Sequence, residues 1–169
     1  MTLPEHVRGG LGETARRFEE AGIAYQLGGS AMLRLSGFDI AVGDIDVVVA
    51  WADRDAVVEA LEGLAIEEPP RAGPWRTDWL IRATLDTGTT TVGLDAMGGL
   101  ALMIEGVLVR FPLTIERSVA VDRWDIPLAP LAHWYHIYRV HNPAKAAQIR
   151  QRLDLATVRK AARELSIPL

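Results

Sequence analysis

The chain contains no cysteine. That excludes disulfides, thiolate metal sites and cysteine nucleophiles. It also lacks any run of about eighteen apolar residues, so no transmembrane helix is expected. Met1-Thr2-Leu3-Pro4-Glu5-His6 has neither the basic nor the apolar stretch of a signal peptide, and the expectation is a cytoplasmic protein without a membrane partner. Internal repeats and low-complexity tracts are absent. What is present is apolar material: 49 % of the 169 residues are hydrophobic, enough for one domain to bury a sizeable core.

Charge is unevenly spread. Net charge is −4, yet the segment 139–164 holds seven basic residues (Arg139, Lys145, Arg150, Arg152, Arg159, Lys160, Arg163) against Asp154 and Glu164, so it is +5 and the remainder −9. Such a segment reads either as an anion-binding end or as solvated helix faces.

Periodicity predicts a helix over 5–21, a short strand over 24–27, and a helix from Ser30 to about Leu35 with Ser30 as its cap. A Val/Ile-rich strand covers 44–51 and a helix 54–64. The Pro- and Gly-containing stretch 66–77 reads as a loop. Strands over 78–85 and 89–96 are joined by Asp86-Thr87-Gly88, and further strands cover 107–111 and 118–122. From Leu128 the chain reads as helical, with Asn142-Pro143 and Asp154 opening the second and third of its helices. The fold class is α/β, with residues 1–127 as a core and 128–169 as a helical extension packed on it in one compact unit.

The chemistry concentrates in two short motifs. Gly28-Gly29-Ser30 is a small-residue turn at a helix start, and Asp44-Ile45-Asp46 opens a strand. Residues i and i+2 of a strand share a face, so the two aspartates stand side by side while Ile45 points into the core. Paired carboxylates with room for phosphates suit Mg²⁺, which takes oxygen ligands and usually only one or two from protein carboxylates. A two-ion centre needs a third carboxylate, and Asp95, ending an apolar strand, is the candidate, with Asp86 as its competitor.

These residues resemble, in order and strand context, the DNA polymerase β-like nucleotidyltransferase superfamily, and Gly28-Gly29-Ser30-Ala31-Met32 is most similar to the aminoglycoside and lincosamide nucleotidyltransferase group and related toxin-type transferases. The resemblance implies a mixed sheet flanked by helices with a helical C-terminal region. It implies that Asp44, Asp46 and Asp95 bind two Mg²⁺ and are catalytic, that Gly28, Gly29, Ser30 and Lys145 contact the nucleoside triphosphate, and that a nucleoside monophosphate passes to an acceptor hydroxyl. Two departures stand out: Ile40-Ala41-Val42-Gly43 carries no Arg or Lys ahead of Asp44, and Lys145 is followed by Ala146 where toxin-type relatives carry Asp.

Each residue also has a plainer reading. Ser30 can simply cap a helix, and Lys145 can lie on a solvated face. Leu131, Trp134, Tyr135 and Tyr138 share helical spacing and read as core, with Tyr138 best placed to reach a substrate and Asp86 a second candidate substrate contact. His133, His136 and His141 read as surface or boundary residues, and Trp75 and Trp79 as a packed loop. Three functions remain: a nucleotidyltransferase (EC 2.7.7 type, ATP or another NTP as donor) acting on a small aminoglycoside-like molecule; a toxin-type transferase acting on RNA or protein; and a non-catalytic nucleotide-binding module.

Overall fold

The computed structural model describes residues 2–168. Six helices and nine strands are present among them. In chain order they are α1 (Glu5–Glu20), β1 (Tyr25–Leu27), α2 (Gly29–Leu35), β2 (Asp44–Val49), α3 (Arg54–Ala60), β3 (Ala65–Glu67), β4 (Trp79–Asp86), β5 (Thr91–Gly98), β6 (Ala101–Ile104), β7 (Val107–Arg110), β8 (Arg117–Val121), β9 (Trp124–Leu128), α4 (Leu131–His141), α5 (Pro143–Arg150) and α6 (Leu155–Glu164). Seven strands form a mixed sheet in the order β3-β4-β5-β2-β1-β9-β8, and β6 and β7 make a separate hairpin. The β2–β5 and β1–β9 pairs are parallel and the other pairs antiparallel. No described helix is long and apolar enough to cross a membrane.

One face of the sheet is sealed by α1. Val7, Leu11, Ala15 and Phe18 are fully buried along it, at the spacing a helix needs to present one apolar stripe. Gly10 permits the close approach, because a Cβ there would lie 2.3 Å from Val92 and 3.1 Å from Ile45. Ile45 is therefore fully buried beneath α1, and its neighbours Asp44 and Asp46 emerge on the opposite face. The helical end packs through α4, whose Trp134, Ile137 and Tyr138 are buried.

Several sequence expectations need correction. Ser30 does not cap α2: Gly28 is the N-cap residue, and Ser30 lies inside the helix. Residues 65–67 form an edge strand, β3, where the 66–77 stretch reads as loop, because β4 offers them a partner. Leu128 closes strand β9, whose hairpin with β8 and pairing with β1 hold it extended to Pro130, and α4 starts only at Leu131. The short strand β6 is likewise added to the reading. His133 and His136 are buried, 7 % and 1 % exposed, and so are not surface residues. The predicted caps at Asn142 and Asp154 are present, accepting from the Lys145 and Thr157 amides.

The turn after β1 is the tightest point of the fold. Gly28 N–H donates to the Asp46 carbonyl at 2.8 Å, fixing the turn to β2. Gly29 has φ +60°, and a Cβ on it would lie 1.9 Å from an Asp46 carboxylate oxygen. Gly29→Ala is expected to lose roughly 1–2 kcal/mol from the left-handed backbone alone, and more from the clash. Gly63, at φ +85° with nothing near its Cβ position, supplies the comparison. Thermal melting should show a larger loss for Gly29→Ala than for Gly63→Ala, and equal losses would refute the close-packing account.

Buried His136 bonds through Nε2 to the Val158 carbonyl at 3.2 Å, an N–H donating to oxygen in the neutral ring. Burial first, and then the charge of Arg139, lower its pKa below the ordinary 6.5, against the opposing effect of the Val158 bond. His133 is lowered by burial as well, with Glu164 opposing. At these two histidines the unfolded chain therefore takes up protons before the folded one, and their contribution to stability falls as pH drops below about 6.5. Melting temperatures from about pH 7.5 to about pH 5.5 should fall less in His136→Gln than in the unmodified protein.

Candidate active site

The face of the sheet opposite α1 is the floor of a cavity of about 720 Å³ whose lining includes Ser30, Asp44, Asp46, Arg82, Asp95, Tyr138 and Lys145. Asp46 and Asp95 are direct partners across the parallel β2–β5 pair, and Asp44 lies two residues before Asp46 on the same face. The β2–β5 register sets the Asp46 and Asp95 carboxylates level on that face. Loss of hydration, followed by repulsion from Asp44 and Asp95, pushes the Asp46 pKa up to about 7, against the pull of Lys145 and Arg82.

On one side of the carboxylates stand Ser30, Lys145 and Tyr138. Lys145 Nζ donates to Ser30 Oγ at 2.6 Å and lies 5.1 Å from the centre of the Tyr138 ring. The Asn142-Pro143 start of α5 sets this lysine one turn into its helix, aimed back at α2. Burial first, and then the Asp46 charge, raise the Tyr138 hydroxyl above its usual pKa, while a hydrogen bond with Ser30 opposes them. Trp134 fills the space beside the turn, where a Cβ on Gly28 would lie 2.0 Å from its indole. Gly28 and Gly29 therefore contribute by what they omit, leaving room for the indole and for the Asp46 carboxylate.

On the other side stands Arg82, which the sequence reading did not single out. Its guanidinium grips Asp95 with two hydrogen bonds of 2.7 and 2.8 Å. Asp86, the competing third carboxylate and a candidate substrate contact, is not brought to the cavity. It ends β4 opposite Thr91 and accepts from the Gly88 amide, shaping the hairpin turn.

Beyond the carboxylates, aromatic rings line the cavity. Trp75 meets His141 edge to face at 5.1 Å, His141 stacks on Tyr138 at 6.4 Å, and Tyr138 is tilted against Trp134 at 5.4 Å. Trp79 is fixed differently, its Nε1 donating to the Trp51 carbonyl and its ring covering Gly98. The cavity's other acids are already paired: Glu68 with Arg54, and Asp78 with Arg110 at 3.1 Å.

Among the described residues, no three His, Asp or Glu side chains are gathered as a ready metal cluster. The donor chemistry nevertheless fits Mg²⁺ at Asp44 and Asp46, two hard carboxylates side by side on the cavity floor. Asp95 lies level with Asp46, and both its oxygens accept from Arg82.

No protein-family model matches the sequence. No curated protein matches it either. Solved structures do. A Thermotoga maritima protein assigned as a nucleotidyltransferase is 19 % identical with a TM-score of 0.66, over 89 % of this chain and 94 % of that one. The antibiotic-resistance factor ANT(2'')-Ia in solution is 14 % identical with a TM-score of 0.55, over 91 % and 89 %. Its crystal structure with adenylyl-2''-tobramycin is 13 % identical with a TM-score of 0.53, over 94 % and 88 %. At these identities the likeness is one of architecture, and it assigns this chain the nucleotidyltransferase fold.

Proposed function

We propose that the protein is a Mg²⁺-dependent nucleotidyltransferase that moves a nucleoside monophosphate from a nucleoside triphosphate to a hydroxyl of a small molecule. The observation that carries this reading is the convergence, on one cavity floor, of Asp44, Asp46 and Asp95 from two adjacent strands with the Ser30–Lys145 pair beside them. The fold shared with nucleotidyltransferases agrees with it.

In this reading Asp44 and Asp46 would hold Mg²⁺, which would supply neutralisation of phosphate charge and orientation of the reacting groups. Lys145, with donors left over after Ser30, meets the triphosphate oxygens. Asp95, once free of Arg82, takes the proton from the acceptor hydroxyl. The acceptor oxygen bonds to the α-phosphorus, the bond to pyrophosphate breaks, and the proton leaves through Asp95.

The walls bear on the acceptor. ANT(2'')-Ia, of like fold, was solved with an adenylylated aminoglycoside, and a small hydroxylated ring compound suits the Trp75–His141–Tyr138 wall here. Glu68 and Asp78 are each occupied by an arginine, which favours an acceptor of low charge over a polycation.

A toxin-type acceptor, RNA or protein, would draw on the basic segment 139–164. Most of that segment is engaged internally. Arg139 pairs with Glu105 and Lys160 with Glu164, Arg150 binds the Leu153 carbonyl, and Arg152 binds those of Ser36 and Gly37. Among the described residues only Arg159 and Arg163 of the seven have no recorded partner, a small footprint for phosphate contacts.

Mg²⁺ with ATP or another nucleoside triphosphate is expected to raise the melting temperature, through binding to the folded state. The double variant Asp44→Ala/Asp46→Ala should lose that rise, and equal responses across all four nucleotides would overturn the reading. Lys145→Ala should weaken the nucleotide response on the order of tenfold, as removal of a charged hydrogen-bond donor does. Radiolabelled nucleotide offered together with a panel of hydroxylated antibiotics, total RNA and cell protein identifies the acceptor. Label on RNA or protein alone would overturn the small-molecule assignment.

A further inference from the structure

A row of charged side chains crosses four strands of the sheet. Glu67 on β3 is the register partner of Arg82 on β4, Arg82 is the partner of Asp95 on β5, and Asp95 is the partner of Asp46 on β2. The row reads acid, base, acid, acid. Partners across a sheet project to the same side with their Cβ atoms about 5 Å apart, so each group in the row can reach the next. Arg82 has two such neighbours of opposite sign. It makes two hydrogen bonds to Asp95 and sits 3.6 Å from Glu67 through its other terminal nitrogen.

The two contacts differ in kind. The Asp95 carboxylate is only 18 % exposed and both its oxygens are engaged, whereas Glu67 is 65 % exposed. Arg82, itself 45 % exposed, has open space around its tip and a long side chain that can pivot. No backbone shift is needed for the guanidinium to trade one acid for the other, because both lie level with it on neighbouring strands.

We propose that Arg82 is a positioning residue that serves as a built-in counter-cation for Asp95 and is handed over to Glu67 when a metal ion takes its place. The proposal rests on the nucleotidyl-transfer reading above and adds to it a reason why three repelling carboxylates can share one face before any substrate arrives. Arg82 holds Asp95 in place and keeps its charge balanced. It also makes a divalent cation compete for the oxygens of Asp95. A cation arriving with a triphosphate meets less opposition, since the phosphates add negative charge that Arg82 can also face. Glu67 is the parking position that keeps the released guanidinium paired.

The probe is Mn²⁺ alone, followed by electron paramagnetic resonance of the free ion, with the folded state of each variant checked by its melting curve. Arg82→Ala is expected to bind Mn²⁺ on the order of tenfold more tightly than the unmodified protein, the scale on which a nearby opposite charge alters a carboxylate. That gain should vanish in Arg82→Ala/Asp95→Asn, because the oxygens for which Arg82 competes are then gone. Glu67→Gln should bind Mn²⁺ more weakly than the unmodified protein, whereas Glu67→Gln/Arg82→Ala should bind it as tightly as Arg82→Ala does. A gain that persists with Asn at position 95 would reduce Arg82 to a general field effect and overturn the proposal. Binding by the unmodified protein with no gain in Arg82→Ala would overturn it while leaving the metal reading intact. No binding by any of these proteins would overturn both.

Discussion

Three carboxylates on two adjacent strands repel one another, and much of the surrounding structure serves to hold them together. Asp44 and Asp46 are forced onto one face by strand alternation, and Asp95 is set level with Asp46 by parallel pairing. The repulsion is visible in Asp46, whose pKa of about 7 combines lost hydration with the charges of its two neighbours. Elements on either side answer it. Lys145 approaches from the helical end, anchored on Ser30, and Arg82 approaches from β4, anchored on Asp95. A like-charge cluster of this kind is a costly arrangement in a resting fold, and here Arg82 on Asp95 and Lys145 near Asp46 offset it.

The main frame was legible from residue pattern alone. Asp44-Ile45-Asp46 followed by consecutive valines admits one reading, a strand with an acidic start and a buried remainder, and Ile45 is fully buried as that reading requires. The Asn142-Pro143 and Asp154 helix starts were equally clear, because a capping side chain and a proline act through their immediate neighbours. What local pattern could not supply was pairing. Residues 65–67 are exposed and short, and become a strand only because β4 lies beside them. Trp124–Leu128 contains a proline and is held extended by β8 and β1, partners drawn from elsewhere in the chain.

Arg82 was missed for a specific reason. A three-residue loop at Asp86-Thr87-Gly88 would pair position 85 with 89 and set Trp79 opposite Asp95. The observed turn is one residue longer and the strands meet at Asp86 and Thr91, so that Arg82 faces Asp95. Register follows from loop length, and a small error in the loop exchanges every partner along the hairpin. The same shift explains Asp86: it shapes the turn through the Gly88 amide, far along β4 from the carboxylate row. The two histidines of α4 illustrate the reverse case, since polar residues at that spacing look solvent-facing until α6 is packed over them and Val158 offers a carbonyl.

The indole of Trp134 lies where a side chain on Gly28 would have to be. This single contact links the helical end of the molecule to the turn that precedes α2, and so ties the freedom of one position to the other. The two positions share one volume. A larger residue at 28 becomes tolerable only after the indole at 134 has shrunk, so the path between such sequences has an order, with position 134 changing first.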